Sequence, residues 1–222
     1  MPRRAADAGA ALLGCVLVLL ALALIWSARL SVGRELYVSE LGATGEPTAL
    51  IFRNALMLIV LGGSLIAFAS RGIRSRLRFL RVWSPAVSLW AASGLFLVAS
   101  QVTCTSGCPV PWGVFFTWQD FTHIVCAVLA FAAACLAMLQ ASFAHEHPYL
   151  AVFSRVACAS VALIAVTGGI LSLAGVATGL GGRLELVATT LAIGWVAVYG
   201  AAIGRRHLAE ARSARTDATQ PG

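Results

Sequence analysis

The chain contains no lysine and is poor in charge of either sign. Its 16 basic residues are all arginine, they face nine acids, and charged residues make up 11% of the 222 positions. With 59% hydrophobic residues and a mean hydropathy of +0.87, this composition excludes an ordinary soluble domain. The missing lysine excludes a glycine-rich, lysine-ended phosphate loop, and neither a Gly-x-Ser-x-Gly elbow nor a His-Glu-x-x-His zinc helix is present. No aromatic-rich basic stretch accompanies the net charge of +7, so nucleic acid is not an expected partner. Arginine at every basic position reads as codon bias in a GC-rich genome rather than as a binding device.

What the chain does have is long apolar runs. Crossing about 30 Å of hydrocarbon takes about 20 residues of helix, and six runs qualify: 9–28, 49–70, 84–102, 121–142, 153–175 and 185–204. The first follows Met1-Pro2-Arg3-Arg4, but it is too long for a removable signal peptide and no small-residue cleavage pattern follows it. Leu12-Leu13-Gly14-Cys15 resembles a lipoprotein box, yet the apolar run continues past Cys15. The expectation is an all-α, polytopic bundle of six transmembrane helices.

Arginine placement predicts its orientation. Five arginines, Arg71, Arg74, Arg76, Arg78 and Arg81, lie between the second and third runs. With both termini inside, twelve arginines fall on the cytoplasmic side and Arg29, Arg34 and Arg183 on the outer side, with Arg53 inside a helix. Positive charge resists translocation, so both termini are expected in the cytoplasm and the protein in a bacterial inner membrane, multi-pass. Residues 1–208 form one six-helix domain, and the small, polar 209–222 reads as a disordered cytoplasmic tail. In the fifth run, Gly168, Ser172, Gly175 and Gly179 share a helical face, a small-residue stripe suited to close helix packing in lipid, and Gly62-Gly63 reads the same way.

Polar residues collect at the outer ends. The first outer loop holds Glu40 among turn-forming glycines and a proline, and the next helix opens with Arg53 and Asn54. Arg53 either snorkels to the interface or pairs with an acid, Asp120, Glu40 or Glu185. In the second outer loop, Cys104 and Cys108 are placed to close a small ring, and outside the membrane a disulfide is the default. Cys15, Cys126, Cys135 and Cys158 lie in apolar runs and read as packing residues. Asp120 and His123, three apart, share a helical face. They read either as a helix-start acid with an interfacial histidine, or as an acid/base pair. The glycines at 179–182 read as an outer turn. His145-Glu146-His147 sits in a connector ending at a proline and reads as solvated. No metal and no cofactor are implied.

Tyr37-Val38-Ser39-Glu40-Leu41-Gly42, followed by Pro47 and a helix beginning near Phe52, resembles the first outer loop of the Frag-one/DRAM/Sfk-one group of six-helix membrane proteins. Gly107-Cys108-Pro109 and Asp120-x-x-His123 resemble bacterial and archaeal members of the related "domain of unknown function 998" family. Eukaryotic relatives in that group are associated with lipid handling, so the resemblance implies a lipid-rich setting. The expected function is a membrane protein that binds or organises lipid, or contacts an envelope partner, through outer-leaflet residues Glu40, Arg53, Asn54 and Glu185. The alternative is a membrane-embedded enzyme on a lipid substrate, with Asp120 and His123 as its acid/base pair.

Overall fold

The computed structural model describes residues 2–109, 114–144 and 148–219, which leaves His145-Glu146-His147 and residues 110–113 of the second loop outside the described residues. Six α-helices follow one another: α1 (Pro2–Ser31), α2 (Ala49–Ala69), α3 (Pro85–Gln101), α4 (Trp118–Ala141), α5 (Pro148–Leu173) and α6 (Thr178–Thr219). A short 3-10 helix, Ser39–Gly42, lies between α1 and α2, in the loop that the arginine count predicts to be outer, and the described residues contain no strand. Five helices are long and apolar enough to cross a membrane. The exception is α3, whose 17 residues reach about 25 Å. Ser84 starts it by accepting from the Val87 backbone N–H, with Pro85 in the first turn, where its missing N–H costs nothing.

The helices close a ring in chain order: each packs on its neighbour, and α6 returns to α1. Close backbone approach holds α1 on α2, for a Cβ on Gly62 would fall 2.7 Å from the Gly14 carbonyl oxygen, and the reverse is equally true. Buried polar bridges add to this. Ser88 donates to Gln140 at 2.8 Å across α3 and α4, and Trp195 donates to Ser154 at 2.9 Å across α6 and α5. Such bonds hold helices together where hydrocarbon offers no competing partner. The α5 surface is the least buried of the five long helices, as expected of a helix facing lipid.

Both chain ends and the arginine-rich segment share one end of the ring. Arg71 meets Asp7 at 3.1 Å, His207 donates to the Ala69 carbonyl at 3.0 Å, and Arg4 meets Glu210 at 3.0 Å. Helix α6 passes Ala209, where the sequence suggested a disordered tail would start, and continues to Thr219. Glu210 is engaged there by Arg4 and, one turn earlier, by Arg206 at 2.8 Å.

Two readings of the glycines change. The stripe expected on one helix is split, because α5 stops at Leu173 and Gly175 turns the chain with φ +66°. Of its members, Gly168 makes a close contact, at 3.2 Å from Leu184 of α6. Residues 179–182 are not a turn but the opening of α6, and they seat the first outer loop.

Candidate functional site

The first outer loop is fastened to α6. Glu185 Oε2 accepts the Val38 backbone N–H at 2.8 Å, and Oε1 accepts that of Ser39 at 3.3 Å. These amides open the 3-10 helix, so the carboxylate satisfies donors that a helix start leaves unpaired. A Cβ on Gly182 would fall 2.5 Å from the Leu36 carbonyl oxygen, so glycine is what lets loop and helix backbones touch. Outside this contact, Glu35 bridges Arg29 at 3.0 Å and Arg183 at 2.6 Å. The hydrogen bond from Arg183 holds the exposed Glu35 carboxyl below its ordinary range. Arg34 pairs with Glu46. Half-buried Glu40 is pushed up by burial, against the pull of Arg34.

The second outer loop is built on Asp120. Cys104 and Cys108 lie at disulfide distance with Cα atoms 5.0 Å apart, and Gly107 turns the ring with φ +79°. The Asp120 side chain is fully buried and accepts from the Thr105 backbone N–H at 2.7 Å, the Thr105 hydroxyl at 2.9 Å and the Thr117 hydroxyl. Thr117 in return caps α4 through the Asp120 N–H at 3.0 Å. The Thr44 backbone N–H donates to the Cys104 carbonyl at 2.8 Å, which joins the two outer loops.

His123 is buried, and its Nδ1 lies 3.0 Å from the Ala99 carbonyl and 2.7 Å from that of Val102. Carbonyls only accept, so Nδ1 carries a proton and donates it. Among the described residues no hydrogen bond joins Asp120 to His123. Of the two readings of this pair, the arrangement resembles the helix-start acid with a separately held histidine: Asp120 organises the loop, and backbone carbonyls orient the imidazole.

Of the two readings of Arg53, the acid pairing is absent among the described residues and the exposed placement is the one seen. It is exposed, and its Nη2 donates to the neutral Gln101 side chain at 2.9 Å rather than to Asp120, Glu40 or Glu185. Asn54 is exposed beside it. Of the polar residues singled out in the sequence, His123 and Glu185 line one cavity.

This cavity, of about 90 Å³, lies inside the ring between α1, α2, α3, α4 and α6. Its walls are apolar, with Ile25, Leu56, Phe96, Phe131, Ala134 and Val196 among them, and His123, Glu185 and Ser39 stand towards the end where the two loops meet. Among the described residues, Ser93 and Thr189 are its other polar lining residues. Among the described residues no three His, Cys, Asp or Glu side chains come together in a way that could hold a metal ion.

Comparison with known families bears on all of these elements at once. The family described as "Protein of unknown function (DUF998)" matches residues 8–202. The chain belongs to this family. No curated protein and no solved structure matches the chain. The DUF998 match begins in α1 and ends in α6, so it takes in both outer loops, Asp120, His123, Glu185 and every residue that lines the cavity.

Sequence reasoning missed Thr105, Thr117 and Gln101, the partners that Asp120 and Arg53 take. A threonine three residues before Asp120 was a legible capping signal. Nothing local marked Thr105 or Gln101.

Proposed function

We propose that this DUF998 protein is a binding protein for a membrane amphiphile, which places an apolar segment in the interhelical cavity and its polar end towards His123 and Glu185. It does so in a bacterial inner membrane, with six spans, both termini in the cytoplasm and the cavity's polar end in the outer leaflet. The observation that carries this reading is the cavity itself: apolar along its walls, polar at one end, within a ring of membrane-length helices. Its size suits a short apolar stretch rather than a whole lipid chain, for a cavity of about 150 Å³ takes a benzene-sized guest. The likeness of residues 37–52 to the Frag-one/DRAM/Sfk-one group, with its lipid-handling members, supports the same reading. An envelope partner would meet the outer loops, on the exposed face that carries Arg53 and Asn54.

The test is native mass spectrometry of the detergent-purified full chain with identification of retained lipid. Ala134→Leu and Ala192→Leu each fill the cavity from a different helix. Both should retain less lipid than wild type while keeping its circular dichroism. Undiminished retention in two well-folded variants would remove the cavity from the account.

A further inference from the structure

Helix α3 is too short to cross the hydrocarbon by itself. Its 17 residues reach about 25 Å, against about 30 Å of apolar thickness. Just before its Ser84 cap stand Phe79, Val82 and Trp83, which are 72%, 78% and 54% exposed. Apolar side chains this exposed beside the start of a membrane helix suit the edge of the hydrocarbon. Arg74, Arg78 and Arg81 are interleaved with them, and all three are exposed. Among the described residues these three arginines make no ion pair. Acids are scarce at this end: the sequence has none between Glu46 and Asp120, Asp7 is engaged by Arg71, and Glu210 by Arg4 and Arg206. Glu146, in the connector between α4 and α5, is one acid against the five arginines of residues 71–81.

The backbone beneath these side chains is pinned along its length. Buried Ser75 bridges Ala144, and the Arg76 N–H donates to the Phe143 carbonyl at 2.9 Å. Leu80 is buried, and buried Gln140 donates to the Trp83 carbonyl at 2.8 Å. A fixed backbone presents cations and apolar groups together without the ordering cost that a free loop incurs on binding.

We propose that residues 74–83 form a binding site for an anionic phospholipid in the leaflet at the arginine-rich end. The arginines take its phosphate, and Phe79, Val82 and Trp83 lie against the first carbons of its acyl chains. Guanidinium pairs with phosphate oxygens through two parallel N–H donors, and each arginine near an anionic surface is worth about fivefold in binding. A free phosphate would satisfy the arginines alone, so the exposed apolar residues between them favour a lipid. None of these residues lines the cavity, and the inference stands apart from the reading of the cavity as an amphiphile site.

The test incubates the full chain in detergent with equimolar dioleoyl phosphatidylglycerol and dioleoyl phosphatidylcholine and counts retained lipid by native mass spectrometry. Wild type should retain phosphatidylglycerol over phosphatidylcholine by at least about threefold. Arg78→Gln with Arg81→Gln should lower that ratio at least about twofold. Arg3→Gln with Arg205→Gln removes the same charge from exposed positions outside the segment and should leave the ratio within about 1.5-fold. Phe79→Ser with Trp83→Ser should at least about halve the phosphatidylglycerol retained. A wild-type ratio near one would overturn the site and leave the arginines to orientation alone. An equal fall in both arginine pairs would overturn it in favour of the net charge of that end. Undiminished retention by the Phe79 and Trp83 variant would mean a site for the phosphate group alone and overturn the lipid assignment. Should a variant lose its circular dichroism, the wild-type ratio still decides.

Discussion

Glu185 and Val38 lie 147 positions apart in sequence, yet the carboxylate of one accepts the backbone N–H of the other at 2.8 Å. This bond, with its neighbour to Ser39, joins the first outer loop to α6 and places Ser39 at the cavity. Glu185→Ala leaves two backbone donors without their acceptor. Leaving a buried donor unsatisfied costs about 1–3 kcal/mol, so with two such donors the variant should be destabilised by about 2–6 kcal/mol. Glu185→Gln, which keeps one good acceptor, should lose roughly half as much. Melting of the three proteins in one detergent checks the order. An alanine variant as stable as wild type would show that the loop is held by packing alone.

Arg53 gives a contrasting expectation. Its partner is the neutral Gln101 in an exposed setting, so Arg53→Ala should cost under about 1 kcal/mol. Arg53→Lys should be close to silent, since no bidentate carboxylate depends on the guanidinium fork. Asp120→Asn should cost about 2 kcal/mol or more, because an amide places a donor where Thr105 and Thr117 already donate. The pair share no bond, so the double variant should equal the sum of the singles within about 0.5 kcal/mol. A larger coupling would mean the two side chains meet after all.

These contrasts show what the sequence carried. The apolar runs gave the helices because membrane-length apolar segments have few alternatives. The starts of α3 and α4 were readable from Ser84 and from Thr117 with Asp120, since caps are local. The cavity pair was not readable. Glu185 finds its donors across the whole chain, and His123 finds its acceptors at Ala99 and Val102 on the preceding helix and its end. Residues 179–182 looked like a turn because glycine is common in turns, whereas Gly182 is needed for the approach of Leu36 to a helix. Arg53 could snorkel or pair with an acid, and the second reading applies to a buried cation. It is exposed, and the second reading does not apply.

Orientation yields a third prediction. With the arginine-rich end cytoplasmic, reporter fusions after Ser75 and at the C-terminus should report the cytoplasm, and those after Gly45 and Gly107 the outside. Cys104 and Cys108 should then resist alkylation in intact cells until a reductant is added. Cytoplasmic signal from the Gly107 fusion, or ready labelling of both thiols without reductant, would reverse or redraw the topology.

Glu40 supplies a pH dependence whose direction follows from its surroundings. Burial raises its carboxyl above the ordinary 4.5, Arg34 pulls it back and Glu46 adds to the rise. The folded protein therefore holds this proton more tightly than the unfolded chain does. The stability that Glu40 contributes is complete below about pH 4.5 and is lost as pH rises through its folded value. Glutamine cannot ionise, so Glu40→Gln escapes this loss. Wild type and variant should melt together near pH 4 and separate by pH 7, with the variant higher. Detergent melts at the two pH values check this. A variant that melts lower at pH 7 would show that attraction between Arg34 and Glu40 outweighs burial, and Glu40 would then stabilise the first outer loop as an anion instead of straining it.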